Sequence, residues 1–334
     1  MRFGRISVLV SVLVSVLGLS ILLPWTGAAS AQGNWPNRPL TMVVGFAPGG
    51  GTDVLGRIIG RKLSEVIGQQ VVIENVGGAG GMVGTARVVK SPPDGYTIVM
   101  GTRADAINQT LYKKPLYNLL EDLVPILLIA DQPTILITRN EFSANTMPEF
   151  IATVKKNQAT MQFASAGAGS TGHLDCQLLN AAIGVKVTHV PYRGGGPAMQ
   201  DIIGGRVDYI CTLTGSAVPL VEGKTVKAIA VLTKDRAPML PDVKSAWEQG
   251  FTDLEASTWF GFMAPKGTPK EIVDKLHDAT AAAMEDKEVQ KQMLAAGAII
   301  VAPDRRSTEY FKAFVPKEIE KNGAPIRAAG LSME

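Results

Sequence analysis

Cysteine, histidine and charge are all scarce in this 334-residue chain. Cys176 and Cys211 are the only cysteines, and there are three histidines. The histidines lie far apart, which excludes a structural zinc site built on closely spaced ligand pairs. Both cysteines fall in apolar strand or helix patterns, so two buried thiols are expected, although export would permit a disulfide. Charged residues make up 19% of the chain and the formal net charge is +3. No clustered basic face of the kind that follows nucleic acid is present. Beyond the N-terminus, no apolar run is long enough to cross a bilayer. Phosphate-loop signatures are missing as well. Gly223-Lys224-Thr225 lacks the glycine four residues earlier and the amphipathic helix that should follow. Gly49-Gly50-Gly51 leads into Thr52-Asp53-Val54, which breaks the dinucleotide fingerprint. No cofactor is expected.

The N-terminus carries an address. Arg2 and Arg5 precede an apolar run over 6–23, Pro24 breaks it, and Ala29-Ser30-Ala31 has the small-x-small pattern of a signal-peptidase site. This predicts a signal peptide over 1–31, cleavage after Ala31 and a periplasmic mature chain. An uncleaved anchor is the rival reading, which the cleavage pattern disfavours. No cysteine follows the site to take a lipid.

The mature chain, with 46% hydrophobic residues overall, reads as globular α/β. A buried strand over 40–46 meets a glycine-rich turn. Then comes a helix with Leu55, Ile58, Ile59, Leu63 and Val66 on one face, ended by Gly68. Strands over 71–74 and 96–100 follow, with a helix opening at 77–81. A second unit begins near Pro125, with short strands over 126–130 and 134–138 and a helix over 148–156. Strands are expected over 161–165, 185–190, 207–212 and 226–233, with helices after the third and fourth polar turns. The tail holds a strand over 259–264 and helices over 269–285, 287–295 and 308–329. Strands alternating with helices predict parallel sheets covered on both faces. Two such units plus a helical tail predict two lobes: 35–132 with 258–334, and 133–257. The crossings are expected near 131–134 and 256–259.

Four polar or glycine-rich turns follow strands: Phe46-Ala47-Pro48-Gly49-Gly50-Gly51-Thr52-Asp53, Gly101-Thr102-Arg103-Ala104-Asp105, residues 165–172, and Tyr192-Arg193-Gly194-Gly195-Gly196-Pro197. Where a strand runs into a helix, the first N–H groups lack intrahelical partners and the dipole is positive. Such a place suits a carboxylate, phosphate or sulfate. One glycine turn alone would be a steric solution. Four of them, two per lobe, can converge on one interlobe cleft. Ala168-Gly169-Ser170-Thr171-Gly172 also has the outline of a nucleophile elbow. Ser170 would then need a base, and His173, His189 and His277 do not fall in the hydrolase order, so an exported hydrolase remains only as an alternative.

The chain resembles the Bug-type substrate-binding proteins of tripartite tricarboxylate transporters, also called TctC-like receptors. The likeness is carried by Trp35-Pro36-Asn37-Arg38-Pro39, the turn from Phe46 to Asp53, Glu74-Asn75-Val76-Gly77-Gly78-Ala79-Gly80-Gly81 and Pro92-Pro93-Asp94-Gly95-Tyr96. Further on it rests on Val190-Pro191-Tyr192-Arg193-Gly194-Gly195-Gly196-Pro197-Ala198, Gly204-Gly205-Arg206-Val207-Asp208 and Leu240-Pro241-Asp242-Val243. It covers the mature chain in one order and is specific for family, weakly so for ligand. It implies a two-lobe periplasmic-binding-protein fold of type II, a Venus flytrap. The implied function is a monomeric, non-enzymatic receptor that passes a small organic carboxylate to large and small TctA/TctB-like membrane components. A periplasmic sensor on the same fold is the alternative.

The resemblance also carries over contacts. In the first lobe these are Phe46, Pro48, Gly50, Gly51 and Thr52, with Asp53 read as a loop brace, and Thr102, Arg103, Ala104 and Asn108. In the second lobe they are Ser165, Gly169, Ser170, Thr171, Tyr192, Arg193, Gly194 and Asp208. His173 is kept where relatives have Ala-His-Leu, and packing is its alternative role. Arg103 and Arg193 are the candidates for a second carboxylate, because arginine bonds carboxylates bidentately.

Overall fold

The computed structural model describes residues 35–252 and 254–334. The expected signal peptide and its cleavage site lie outside the described residues.

Strand β1 (Leu40–Val44) is an unbroken apolar run apart from Thr41, as a strand covered on both faces requires. It pairs in parallel with β2 (Val71–Asn75) on one side and β3 (Thr97–Thr102) on the other. Helix α1 (Gly51–Ile67) joins β1 to β2 and buries Leu55, Ile59 and Leu63 at helical spacing. It stops at Gly68, whose φ of 69° is the left-handed cap glycine adopts without strain. Helix α2 (Met82–Val89) precedes β3, and α3 (Arg103–Leu111) follows it directly.

Strand β4 (Leu123–Arg139) is 17 residues long and serves both lobes. From Leu123 to Pro133 it pairs antiparallel with β9 (Ser257–Pro265). From Thr134 onward its partners are β7 (Tyr209–Leu213) and β8 (Val226–Val231). The sequence predicted two short strands here, because Asp131-Gln132-Pro133 looks like a turn. The strand instead continues through Pro133, which sits where the partner strands change.

The second lobe adds α4 (Met147–Asn157), β5 (Gln162–Ser165), α5 (Thr171–Ala182), β6 (Thr188–Pro191), α6 (Gly195–Ile203) and α7 (Thr214–Glu222). Strand β5 runs parallel to both β6 and β7. The strand order is β2-β1-β3-β9-β4-β7-β5-β6, with β8 also on β4. The tail provides α8 (Lys270–Glu285), α9 (Lys287–Ala295), the two-residue β10 (Ile299–Ile300) on β4, and α10 (Thr308–Ala328). Helix α7 was not expected. Gly215 and Pro219 are poor helix formers and make its sequence read as a loop.

Strand parity divides the core of the second lobe. Leu136, Tyr209 and Cys211 face one cluster with Phe150, Phe163 and Cys176. Ile135, Ile137 and Ile210 face the other with Ala164, Ala198 and Val231. That parity brings Cys211 against Cys176 of α5, and the two form a disulfide with a Cα–Cα distance of 5.5 Å. This corrects the expectation of two free thiols. A separation of 35 residues gave no sign of the pairing.

Candidate functional site

Five helix starts border one narrow interlobe cavity, with Thr102 at α3 and Gly195 at α6 joining three fuller ones. The first lobe contributes Gly50, Gly51 and Thr52 at the start of α1, and the second contributes Ser170, Thr171 and Gly172 at α5 and Leu213 and Ser216 at α7. Gly50 and Leu213, the N-cap residues of α1 and α7, make no side-chain cap. First-turn N–H groups without intrahelical acceptors, at the positive end of a helix dipole, favour an anion. Phe46 and Leu213 add apolar wall, and Thr102, Thr212 and Thr258 add hydroxyl groups.

The lobes touch backbone to backbone beside this cavity. Ala47 N donates to Arg193 O at 3.1 Å. A Cβ on Gly194 would stand 2.5 Å from Ala47 N, and one on Gly196 would stand 2.3 Å from Pro48 O. On Gly80 it would meet the Gly169 carbonyl carbon at 2.3 Å. The glycine turns of one lobe therefore seat directly on those of the other, and only hydrogen fits at these positions.

Of the expected contacts, Phe46, Gly50, Gly51, Thr52, Thr102, Ser170 and Thr171 line the cavity. Pro48 and Gly194 lie in the glycine seam. Asp53 braces its own turn: its carboxylate accepts from Gly49 N at 3.0 Å, from Arg57 and from Asn75. Burial pushes its pKa up, but those hydrogen bonds outweigh it and hold the group below its ordinary value. Thr102 caps α3 in a capping box, accepting from Ala104 N while Asp105 accepts from Thr102 N. Ala104 and Asn108 are buried on that helix, and Asn108 abuts Gly169.

Ser165, Gly169 and His173 belong to a brace behind the second-lobe loop. Ser165 Oγ bonds His189 Nε2 at 2.7 Å and accepts from Gly167 N. His173 Nδ1 accepts from Gly169 N at 3.3 Å, and its ring stacks on His189 with centroids 4.2 Å apart. Burial lowers His173 to about 3 and His189 to about 4, so both are neutral near pH 7.

Four expected contacts go elsewhere. Arg103 is committed to Asp175 at 2.8 Å, Asn322 at 2.6 Å and the carbonyl of Ser257 at 3.1 Å, all within the protein. Arg193 acts through its backbone carbonyl, and its side chain is exposed. Tyr192 donates to Asp201 at 2.5 Å, and its phenol is raised to about 12, first by burial and then by that carboxylate. Asp208 pairs with Arg139 and accepts from Gln162 N, at the amino ends of β5 and β7. The turns that line the cavity sit at the carboxyl ends of these strands, so Asp208 is not brought to it.

Sequence reasoning passed over Thr212, Leu213, Ser216 and Thr258. Thr212-Leu213-Thr214-Gly215-Ser216 carries the same strand-to-helix signature of hydroxyls and glycine as the four recognised turns. Thr258, at the second crossing, had no such signal.

Neither serine–histidine pair forms a hydrolytic set. Ser170 Oγ accepts from the backbone N–H of His173, whose imidazole faces Gly169 N instead. Ser165 is fully buried. Among the described residues no group of three His, Cys, Asp or Glu could hold a metal ion, and no helix is long and apolar enough to cross a membrane.

Comparison with known proteins places these features. Residues 55–331 match the model of the tripartite tricarboxylate transporter family receptor. A protein of Agrobacterium vitis from the TAR-I ttuE-ttuC' intergenic region is 37% identical, covering 98% of this chain and 94% of its own length. BugT of Bordetella pertussis is 32% identical, covering 96% and 98%. The periplasmic binding protein BugD superposes with a TM-score of 0.87 at 36% identity, covering 90% of this chain and all of its own. MatC of Rhodopseudomonas palustris with bound malate has a TM-score of 0.85 at 34% identity, covering 87% and 100%. A second R. palustris protein, with adipate, has a TM-score of 0.85 at 32% identity, covering 90% and 99%.

Proposed function

The chain belongs to the receptor family of the tripartite tricarboxylate transporters, and from that premise we propose that it closes its two lobes on a small organic carboxylate, dicarboxylic and aromatic acids included. It then delivers this solute to large and small membrane components of such a transporter. The observation that carries the reading is the meeting of five helix starts, from both lobes, in one cavity. Similar proteins hold malate and adipate, which supports a carboxylate. Contacts are assigned to Phe46, Gly50, Gly51, Thr52, Thr102, Ser170 and Thr171. No bond of the ligand is made or broken.

The same reading has the chain exported, cleaved after Ala31 and acting as a periplasmic monomer. Its lobes are 35–132 with 258–334, and 133–257. The change of partners along β4 at Pro133 and Thr134 supports this division. Closure is a hinge motion about the crossing strands.

A thermal-shift screen of the purified protein against mono-, di- and tricarboxylates, aliphatic and aromatic, tests the proposal. A bound acid raises the melting temperature by mass action. Shifts with sugars or cations alone, and none with any acid, would overturn it.

A further inference from the structure

Thr258 stands apart from the other hydroxyl groups of the cavity. It is 1% exposed, it lines the cavity, and among the described residues its Oγ1 has no hydrogen-bond partner. Thr102 accepts from Ala104 N, Ser170 accepts from His173 N, and Thr212 and Ser216 bond each other at 3.0 Å. Thr52 and Thr171 also line the cavity, but among the lining hydroxyls only that of Thr258 is both buried and without a partner. Thr258 belongs to none of the helix starts. It lies on β9 at the crossing, in register with Gln132 of β4. Gln132 is likewise half satisfied: Nε2 donates to Ala296 O at 2.6 Å, while Oε1 has no partner. A buried hydroxyl without a partner is costly, and an oxygen arriving with a ligand in the adjoining cavity would supply the missing partner.

We propose that Thr258 is a specificity-determining residue. It hydrogen-bonds a hydroxyl or keto oxygen carried on the carbon skeleton of the bound carboxylate, favouring oxygenated acids over their plain counterparts. This rests on the carboxylate reading above. The helix starts suit the anionic ends, since N–H groups and positive dipoles are what a carboxylate needs. A neutral hydroxyl on the strand that joins the lobes suits a neutral oxygen between those ends. An unsubstituted methylene placed there would seal Thr258 Oγ1 against carbon.

Malate and succinate differ by a single hydroxyl and are the probes. Calorimetric titration of the mature protein should show malate bound more tightly, by roughly tenfold or more. Thr258→Val, which keeps the shape and removes the hydroxyl, should abolish that preference, weakening malate relative to succinate by about the margin that wild type shows. Thr258→Ser should keep the preference. Unliganded melting curves check that each variant folds, and Thr258→Ala serves if the valine variant does not. A wild type without preference, one that binds other acids but neither probe, a valine variant that keeps the preference, or equal weakening of both acids overturns this assignment alone. Failure of the wild type to bind either these or any other acid overturns the carboxylate reading with it.

Discussion

Arg103 and Asp175, 72 residues apart in sequence, form a buried ion pair at 2.8 Å that joins α3 of one lobe to α5 of the other. Asp175 is fully buried, and its second oxygen accepts from Thr134 Oγ1, on the crossing strand. Arg103 also reaches the carbonyl of Ser257, on the other crossing strand. Burial pushes Asp175 up, against the downward pull of Arg103 and Thr134. Removing one partner leaves a buried charge, at a cost of about 3–5 kcal/mol. Arg103→Ala and Asp175→Ala should each lower stability by that order in urea melts. The apolar pair Arg103→Met/Asp175→Leu should recover much of the loss. A cost below about 1 kcal/mol for both single variants would show that the pair contributes little.

The glycine seam predicts a separation of stability from closure. Gly196 is the second residue of α6, where alanine is the better helix former by about 1 kcal/mol. Its Cβ would nevertheless stand 2.3 Å from Pro48 O across the cleft. Gly196→Ala should keep or raise the melting temperature while weakening acid binding at least tenfold. Small-angle scattering should show a more open molecule. Gly184→Ala, where the added Cβ meets nothing within 4 Å, should cost stability through its positive φ and leave binding unchanged.

The stacked histidines predict a pH dependence. Burial holds folded His173 at about 3 and His189 at about 4, below the ordinary histidine value of 6.5. Between those values and 6.5 the unfolded chain holds more protons on these residues than the folded one. Their contribution is therefore full above about 6.5 and is lost as pH falls toward 4 and then 3. Raised carboxylates such as Asp105 act in the opposite sense. Comparing wild type with His173→Gln/His189→Gln isolates the histidines: the variant's urea midpoint should fall less steeply between pH 7 and 4. Parallel curves would sink the assignment.

The disulfide predicts a response to reductant. Alkylation in denaturant without reductant should find no free thiol. Reduction should cost about 2–4 kcal/mol of stability. Two alkylated cysteines in protein from an oxidising compartment would refute the pairing.

Much of the fold was legible because local rules agree with one another. The 3.6-residue spacing in α1, its glycine stop at Gly68 and the apolar run of β1 each announce one element. β4 was misread because Pro133 marks a turn in most contexts, and only two changing partners make it part of a strand. α7 was lost behind Gly215 and Pro219, and with it Thr212, Leu213 and Ser216 of the cavity. Arginine was the natural guess for a second carboxylate. Asp175, far away in sequence, claims Arg103 first.

By itself the sequence determined the alternation of strands and helices, the glycine turns at strand ends and the resemblance to a receptor family. The first two are set by spacing within a few dozen residues, and the third by motifs recurring in one order along the chain. Tertiary structure decided which turns meet, which side chains remain available and which cysteines pair. Those depend on contacts between residues 35 to more than 200 positions apart, such as Cys176 with Cys211 and Arg103 with Asn322. Periodicity has no term for such distances, so a buried hydroxyl at Thr258 becomes visible only once the crossing strands close around it.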